Sequence, residues 1–248
     1  MKLLGIDIGG SGVKGALVDT EQGALITDRL RIPTPQPAKP KAMIKVVKKI
    51  VDHFDYQGPL GIGFPGVVMD GVTKTAANVH HDWINYEAAH HIALATNCEV
   101  TIRNDADVAG IGEMHHGAGK DVPGVVMIFT LGTGIGSVMF VNGHIVPNLE
   151  LGHLYLRNMK KDAEAYAADR IRDEKDLSWK EWGKRLNVYF QHIEFLFSPN
   201  RIILGGGVSK KYEKYIKYLH LNADVVPAKL RNEAGIIGAA MAAMPNAD

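Results

Sequence analysis

The sequence predicts an α/β fold made of two similar lobes with a cleft between them. The predicted elements run in the order βββαβαβα, followed by two strands, a helical region and a final αβα unit. Each half opens with a β-hairpin whose turn is rich in glycine, at 7–15 and at 131–137. We therefore expect a first lobe over 1–104, a larger second lobe over 105–232, and a C-terminal helix over 233–246 that packs back on the first lobe.

The first hairpin contains a motif that points, taken alone, to a different fold. Residues 10–15 read Gly-Ser-Gly-Val-Lys-Gly and match G-x-G-x-x-G, which in a dinucleotide-binding fold opens a helix. Here a β-like run at 13–19 follows the strand at 2–8, and a third run covers 23–31. A strand, a glycine turn and another strand predict a hairpin, and the three runs together predict an antiparallel meander.

Hydrophobic spacing and helix-capping residues predict the remaining elements. One helix begins at Asn104 or Asp105, either of which suits the N-cap, and ends before Gly117. The other helices are expected at 42–54, 85–96, 161–197 and 208–219, and the other strands, most of them buried, at 60–64, 98–103, 125–130, 135–141 and 201–204.

Composition excludes several classes of partner and location. The chain has 248 residues, and its 28 basic and 27 acidic residues leave a net charge of +1, so no global field attracts nucleic acid or a membrane. The single Cys98 excludes an internal disulfide and fits a reducing compartment. Asp7 interrupts the apolar N-terminus where a signal peptide would continue, so we expect a cytoplasmic protein. The uncharged stretch 122–143 is divided by its glycines into two runs of strand length.

Three glycine-rich turns, at 7–15, 131–137 and 204–210, each follow a predicted buried strand. Each turn alone is explained by tight chain reversal, but together they favour phosphate binding, because successive backbone N–H groups lie open to a ligand. The first turn also carries Asp7, which suits a Mg²⁺–water shell, and Lys14, which suits a phosphate charge. These groups are typical of phosphoryl transfer.

Two further segments carry side chains suited to a sugar. Asp105, at the junction of a strand and a helix, is either a helix cap or a general base that removes the proton of a substrate hydroxyl, with Asn104 binding the same substrate. Glu150 and His153 in the segment ELGH allow two interpretations. They belong to an ordinary solvated loop, or they bind a sugar, with the carboxylate and the imidazole accepting hydrogen bonds from its hydroxyls and donating to them.

The motifs LGIDIGGSGVKGALVD, GIGFPGVV, RNDADVAGIGE, FTLGTGIGS, ELGH and RIILGGGVS occur here in an order and spacing that resemble the ROK family of sugar kinases. That family belongs to the actin/hexokinase/Hsp70 superfamily. The resemblance implies two RNase-H-like α/β lobes with an active-site cleft between them. It also implies a kinase for a hexose, with glucose as the expected acceptor and a homodimer as the expected assembly.

The resemblance implies roles for individual residues. Asp105 is the expected catalytic base, and Asp7 helps to hold Mg²⁺ through water. The expected sugar-binding residues are Asn104, Asp105, Glu150, His153, Glu164, Gly66 and Asn78. The expected phosphate-binding residues are Asp7, Gly9, Gly10, Ser11, Gly12, Lys14, Gly132, Thr133 and Gly134. The donor, with its adenosine where the donor is ATP, is expected near Gly205, Gly206, Gly207, Lys210 and Lys214.

The chain departs from many ROK proteins at the zinc motif. That motif is rich in cysteine and takes its fourth ligand from the His of ELGH, but the stretch LYLRNMKKDAEAYAADR contains no cysteine. His153 alone cannot supply the four ligands of a structural zinc site, so we expect no zinc. The chain resembles most the branch of the family that phosphorylates glucose from inorganic polyphosphate, often accepting a nucleoside triphosphate as well.

The sequence leaves the phosphate donor and the acceptor sugar open. Lys210, Lys214 and Lys217 are spaced to form a row on the predicted helix 208–219, with Lys211 beside them; such a row either follows a polyanion or is an ordinary solvated face. A kinase strictly dependent on ATP, or one for mannose or fructose, is the alternative. A ROK repressor is disfavoured because no helix-turn-helix precedes the first strand. The adjacent histidine pairs do not have the spacing of a helical metal site.

Overall fold

The computed structural model describes residues 1–76 and 78–245. The chain divides into two compact units. The first comprises Met1–His116 with the C-terminal segment that begins at Glu233, and the second comprises Gly117–Asn232. Helix 105–116 therefore lies in the first unit, although the sequence assigned it to the second lobe.

Regular elements alternate along both units as the hydrophobic pattern predicts. The strands are β1 (Lys2–Ile8), β2 (Gly12–Asp19), β3 (Ala24–Leu25), β4 (Leu30–Pro33), β5 (Pro59–Phe64), β6 (Val68–Met69), β7 (Val72–Thr73), β8 (Glu99–Asn104), β9 (Val125–Leu131), β10 (Ile135–Val141), β11 (His144–Val146), β12 (Arg201–Gly205) and β13 (Asp224–Pro227). The α-helices are α1 (Pro40–His53), α2 (Ala88–Thr96), α3 (Asp105–His116), α4 (Ala163–Ala167), α5 (Asp169–Glu174), α6 (Trp179–Phe197) and α7 (Ala234–Ala242).

The first unit contains a six-stranded sheet in the order β3-β2-β1-β5-β8, with β4 also paired to β2. Strands β1, β5 and β8 are parallel, so their carboxyl ends share one edge of the sheet. The expected strand over 23–31 is divided into β3 and β4, because Thr27 leaves the ladder and its hydroxyl accepts the N–H of Leu17 at 3.1 Å. The predicted hairpin of β1 and β2 is present.

Helix α7 packs against this sheet and against α3. A Cβ built at Gly61 would lie 1.7 Å from Ala239 O, and one built at Gly238 would lie 1.6 Å from Val108 O. Only glycine permits such close backbone approach. This packing explains why α3 belongs with the first unit. The predicted end of the C-terminal helix, at residue 246, lies outside the described residues.

The second unit contains a five-stranded sheet in the order β11-β10-β9-β12-β13. The uncharged stretch 122–143 forms the antiparallel pair β9 and β10, as predicted from its interior glycines. The largely helical region 161–197 is divided into α4, α5 and α6; Ser178 and Glu181 form a capping box at the start of α6. Among the described residues, no helix is long and apolar enough to cross a membrane.

The predicted helix 208–219 is wrong as an α-helix. Residues 207–214 and 216–218 form two short 3-10 helices, and Lys211 has non-helical dihedral angles. The reason is aromatic packing: Tyr215 is fully buried, with its ring 5.0 Å from that of Trp182, and Tyr212 donates its hydroxyl to Val225 O at 2.5 Å. A 3-10 helix places residues three apart on one face, so it lets both tyrosines turn inward.

Candidate active site

The first unit brings an ion pair to the carboxyl edge of its sheet. Asp7 lies opposite Lys14 in the β1–β2 register, and Lys14 Nζ is 3.1 Å from Asp7 Oδ2. A Cβ built at Gly235 would lie 3.5 Å from Asp7 Oδ1, and one built at Gly63 would lie 3.9 Å from it. These glycines therefore let the backbone pack close to the carboxylate, and a Cβ at Gly63 would also lie 2.7 Å from Val108 Cγ2.

The turn between β1 and β2 is held firmly by neighbouring side chains. Thr34 Oγ1 donates to Gly9 O at 2.5 Å, and Arg31 Nη2 donates to Ser11 O at 2.9 Å. Gly10 and Ser11 at its tip are exposed, and a Cβ at Gly10 would lie 3.5 Å from Asn78 Cβ. The structure thus brings Asn78 to the predicted phosphate turn. Arg31 and Thr34 are contacts that sequence reasoning missed, since they come from a strand some 20 residues away.

Asn104 takes the capping role that the sequence left open between Asn104 and Asp105. The buried Asn104 is the helix cap: its Oδ1 accepts from Ala106 N at 2.8 Å and from Asp107 N at 3.2 Å. Its Nδ2 donates to Gly66 O at 3.1 Å, so this side chain also fixes the loop after β5. Asp105 is the first residue of α3 and is half-buried, with Oδ1 accepting from Ala106 N at 2.8 Å.

Asp7 and Asp105 lie on either side of Gly63 in the first unit. A Cβ at Gly63 would be 3.9 Å from Asp7 Oδ1 and 3.7 Å from Asp105 Cα. The parallel strands β1, β5 and β8 thus place the predicted metal ligand and the predicted base at one edge. The positive end of the α3 dipole favours the ionised form of a carboxylate at its first turn.

The second unit holds the glycine turn between β9 and β10 at several points. Glu164 Oε2 accepts from Ile135 N at 2.9 Å, and Arg170 donates from its backbone N–H to Gly132 O and from Nε to Thr133 O, both at 3.1 Å. A Cβ at Gly132 would meet no atom within 4 Å. The turn is therefore fixed through two carbonyls and through the N–H groups of Ile135 and Gly132, the latter donating to Gly134 O at 3.0 Å, and it has space beside Gly132. Nothing in the local sequence signals the part that Arg170 plays.

Glu164 influences the pKa of two other predicted sugar residues of this unit, Glu150 and His153. Burial raises the pKa of Glu150, an effect that His153 opposes and Glu164 reinforces. A hydrogen bond to Asp162 raises the pKa of His153, and the charges of Glu164 and Glu150 act in the same direction. The structure thus couples Glu150, His153 and Glu164 electrostatically within one unit.

Asp162 is a residue that sequence reasoning missed. Its Oδ2 is 3.0 Å from His153 Nδ1, and its Oδ1 accepts from Ala165 N at 2.8 Å as the N-cap of α4. Burial acts to raise its pKa, but the hydrogen bonds from His153 and Ala165 outweigh that effect, so the pKa is lowered. The only sequence signal for it is a capping residue just before the small residues of α4.

The third glycine turn lies at the end of β12. Gly206 has φ of 79°, and a Cβ there would lie 2.3 Å from Leu131 O, so glycine is required. A Cβ at Gly207 would meet no atom within 4 Å, which leaves space beside the turn. Gly205 ends β12 and lies in register with Thr130 of β9.

The expected row of Lys210, Lys214 and Lys217 on one helix face does not exist, because this segment is 3-10 and broken at Lys211. Lys211 Nζ and Lys214 Nζ instead lie 5.5 Å and 5.6 Å from the ring centre of Trp179. Lys217 lies over a different ring, that of Tyr218.

A third cation meets the same indole. The Arg172 guanidinium lies 4.2 Å from the ring centre of Trp179, and Asp169 and Asp173 hold it in place at 2.9 Å and 2.6 Å. We refer to Arg172, Trp179, Lys211 and Lys214 as the Trp179 cluster. The charges near the third turn are thus grouped differently from the predicted row.

Within the described ranges, a possible metal-binding group consists of His80, His81 and Asp82. His80 Nδ1 already accepts from Asp82 N at 3.1 Å, and Lys39 pairs with the Asp82 carboxylate at 3.4 Å. These contacts account for the group as the cap of a short 3-10 helix. The single cysteine, Cys98, is buried in the first unit, whereas His153 belongs to the second unit.

Comparison with known proteins identifies the family. The ROK family model matches residues 3–166. Polyphosphate glucokinases of Mycobacterium tuberculosis and Mycobacterium leprae are 46% and 45% identical to this chain, over 97% and 96% of it and over 90% and 73% of their own lengths.

Solved structures agree with this result. An inorganic polyphosphate/ATP-glucomannokinase from Arthrobacter sp. strain KM has a TM-score of 0.90 at 44% identity, with 97% of both chains covered. A ROK glucokinase from Streptomyces griseus, at 22% identity and a TM-score of 0.84 over 98% of this chain and 99% of its own, has the same fold. The fold is that of the actin/hexokinase-like sugar kinases, as predicted. The chain belongs to the ROK family, and the resemblance drawn from its motifs is confirmed.

Proposed function

We propose that this chain transfers a phosphoryl group from inorganic polyphosphate to glucose, forming glucose 6-phosphate, and that ATP serves as a second donor. The observation that carries the proposal is the 46% identity to polyphosphate glucokinases over 97% of the chain. The structurally similar glucomannokinase from Arthrobacter is named for both polyphosphate and ATP. Its name supports ATP as the second donor of this chain.

In the proposed reaction, Asp105 acts as the general base. The sugar hydroxyl oxygen forms a bond to the terminal phosphorus, the bridging P–O bond of the donor breaks, and the hydroxyl proton passes to the Asp105 carboxylate. Two observations support this role: Asn104 already supplies the helix cap, and Asp105 is half-exposed at the start of α3. A base held at a rigid helix start needs little reorganisation during the reaction.

Sugar recognition is assigned to both units. Glu150 and Glu164 offer carboxylate oxygens that accept from hydroxyl groups, and His153 Nε2 is the remaining ring nitrogen once Nδ1 is bonded to Asp162. In the first unit, Asn104 Nδ2 donates to Gly66 O in the loop after β5. We assign Asn104, Gly66 and Asn78 to sugar binding. Of these polar side chains Asn104 is buried, and buried polar groups discriminate strongly between sugars.

Phosphate binding is assigned to the glycine turns. The exposed tip at Gly10 and Ser11 leaves backbone N–H groups accessible to phosphate oxygens, and there is space for a phosphate beside Gly132 and Gly207, although Gly132 N already donates to Gly134 O at 3.0 Å. Gly9, Gly12, Lys14, Thr133 and Gly134 are assigned to phosphate, and Gly205 and Gly206 to the donor, on the family resemblance alone, because Gly9, Gly12 and Gly134 are packed against neighbouring atoms.

The first unit also fits a hydrated Mg²⁺. Asp7 has one carboxylate oxygen that does not bond Lys14, and Mg²⁺ in kinases is bound through one or two carboxylates, water and the substrate phosphates. When bound, the ion would neutralise charge on the transferred phosphoryl group. Lys14 holds the other oxygen of Asp7 and so fixes the direction of the carboxylate.

The Trp179 cluster supports a polyanionic donor. Lys211 and Lys214, a few residues after the open Gly207, place two positive charges near one indole, and Arg172, paired with Asp169 and Asp173, lies over the same ring. Repeated phosphate charge is best met by spaced cations, whereas an adenosine requires an apolar or stacking pocket. The cluster takes the place of the lysine row that the sequence predicted, with Lys214 common to both.

A panel of donors and sugars tests the proposal directly. Purified protein is assayed with long polyphosphate, ATP or no donor, against glucose, mannose and fructose, with and without Mg²⁺. Formation of glucose 6-phosphate from polyphosphate is expected, and its absence would leave an ATP-dependent glucokinase. Mannose is the second acceptor that we expect, because the Arthrobacter relative is a glucomannokinase.

Three further properties remain proposals. A homodimer is inferred from the family and is checked by sedimentation equilibrium. The absence of zinc is checked by elemental analysis of active protein, in which stoichiometric zinc would contradict our interpretation of the segment before Glu164. A reducing, cytoplasmic location rests on the single buried Cys98 and is checked by fractionation of the producing cell.

A further inference from the structure

Asp162 connects two elements that carry predicted sugar residues. One carboxylate oxygen lies 3.0 Å from Nδ1 of His153, which ends a short 3-10 helix at 151–153. The other accepts from Ala165 N at 2.8 Å and caps α4, the helix that carries Glu164. The Asp162 carboxylate therefore holds the His153 ring at a fixed position relative to α4, which follows His153 after an exposed loop.

The backbone around this carboxylate closes the same loop. Ala163 N donates to Leu154 O at 2.9 Å, and Tyr155 and Asp162 form an isolated antiparallel bridge. The loop between them is thus tied at its base. The Asp162 side chain is 24% exposed, whereas that of His153 is 59% exposed, so the aspartate is the better-ordered member of the pair. An exposed imidazole without such a partner samples several rotamers.

The direction of the hydrogen bond decides which nitrogen of His153 faces outward. An ionised carboxylate only accepts, so Nδ1 carries the proton that is donated to Asp162. Nε2 is then the nitrogen presented to a ligand, as an acceptor in the neutral ring and as a donor in the charged ring. The neighbouring carboxylates of Glu150 and Glu164 favour the charged ring.

We propose that Asp162 is a positioning residue for sugar binding, which holds the His153 ring so that Nε2 donates to a sugar hydroxyl while Glu150 and Glu164 accept from its neighbours. The proposal rests on the proposed function in assigning the ligand. It assigns no contact between Asp162 and the sugar itself. Its effect passes through His153.

The test variant is Asp162→Ser, because serine caps helices as well as aspartate but is too short to reach His153. Thermal unfolding at about pH 8.5, where His153 is neutral and its pairing with Asp162 contributes least, should therefore change little. The affinity for glucose, measured by calorimetry and as KM, should weaken roughly tenfold, the lower end of what loss of an orienting partner of a histidine costs. The KM for the phosphate donor should stay unchanged. Asp52→Ser, which removes an exposed carboxylate paired with Lys48, is the matched control and should leave all values unchanged.

A double-mutant cycle with His153→Gln shows whether Asp162 acts through the histidine. Asp162→Ser should weaken glucose binding in the wild-type background and have no further effect in His153→Gln. An equal loss in both backgrounds would mean that Asp162 has only a structural role, and would overturn the proposal.

An NMR titration gives a result that needs neither sugar nor activity. The His153 resonance is assigned from its absence in His153→Gln, and its pKa should fall in Asp162→Ser because the hydrogen bond and one negative charge are lost. An unchanged titration of His153 would overturn the positioning role. If the wild-type protein fails to phosphorylate glucose, the proposed function fails instead, and the titration still decides whether Asp162 holds the ring.

Discussion

Glu164 and the glycine turn between β9 and β10 are joined by a hydrogen bond from Ile135 N to Glu164 Oε2 at 2.9 Å. One carboxylate oxygen of a predicted sugar residue thus fixes a predicted phosphate turn. Glu164 stands in the first turn of α4, whose cap, Asp162, also holds His153. The predicted sugar residues and the predicted phosphate turn of the second unit are therefore connected through one short helix.

The first prediction compares two glycines of this turn. A Cβ at Gly134 would lie 2.4 Å from Glu164 Oε2, whereas one at Gly132 would meet no atom within 4 Å. Gly134→Ala should displace the Glu164 carboxylate and cost about 1.5 kcal/mol or more in stability through the lost charged hydrogen bond. Its KM for glucose should rise. Chemical denaturation and steady-state kinetics measure both.

Gly132→Ala is the matched control for folding and a test of the open space. It should unfold like the wild type, while its KM for the phosphate donor rises because the methyl group occupies space assigned to phosphate. Unchanged donor kinetics in Gly132→Ala would contradict the assignment of this turn to phosphate.

The second prediction concerns Asp105. Asp105→Asn keeps the shape of the side chain and an oxygen for Ala106 N, but removes the base. Turnover should fall by about 10²–10⁴, while glucose binding measured by calorimetry remains. A variant that retains more than about a third of wild-type turnover would refute the role of Asp105 as the base.

The third prediction concerns the phosphate donor. The double variant Lys211→Met/Lys214→Met should raise the KM for long polyphosphate by roughly fivefold to tenfold at low salt, with little effect on ATP. The difference should shrink as ionic strength rises, since exposed charges are screened over about 8 Å at physiological salt. Initial rates across a salt series measure it.

The control for that experiment is Lys210→Met/Lys217→Met. It removes the same charge, and Lys217 lies over Tyr218 rather than Trp179. Equal, small changes with both donors in both variants would mean that these lysines form an ordinary solvated surface.

The fourth prediction is a pH dependence of stability. The hydrogen bond to Asp162 raises the pKa of His153 in the folded protein, so the pair stabilises the fold fully below the unfolded value of about 6.5. That contribution is lost as pH rises through the folded pKa. The wild type should therefore exceed His153→Gln in unfolding free energy by more at about pH 6 than at about pH 8.5. A constant difference across this range would contradict the raised pKa.

The fifth prediction is a pH dependence of glucose binding. Burial raises the pKa of Glu150, so this carboxylate is protonated at a higher pH than an ordinary glutamate as the solution is acidified. Each protonated Glu150 loses an acceptor for a sugar hydroxyl, and the KM for glucose should rise on the acid side. In Glu150→Gln the acid rise in KM should disappear, although the KM itself is higher; persistence of the rise would assign it to another group.

The sequence by itself determined the local elements that carry chemistry. Alternating apolar residues and a glycine turn specify the β1–β2 hairpin, and its register alone places Asp7 opposite Lys14. The same reasoning located Asn104 and Asp105 at a strand-to-helix junction, because a capping residue follows an apolar run. The motifs were sufficient to identify the family.

Tertiary structure decided the contacts between residues distant along the chain. Arg170 reaches Thr133 across 37 positions, and Asp162 reaches His153 across nine, through loops whose path no local pattern encodes. Packing against α7 places α3 in the first unit. Burial of Tyr215 replaces the expected α-helix over 208–219 by 3-10 turns, and Lys211 and Lys214 consequently lie near Trp179. Propensity and periodicity act over a few residues, whereas these outcomes depend on which surfaces meet, and the free energy of burying aromatic rings and close-packed glycines outweighs local preference.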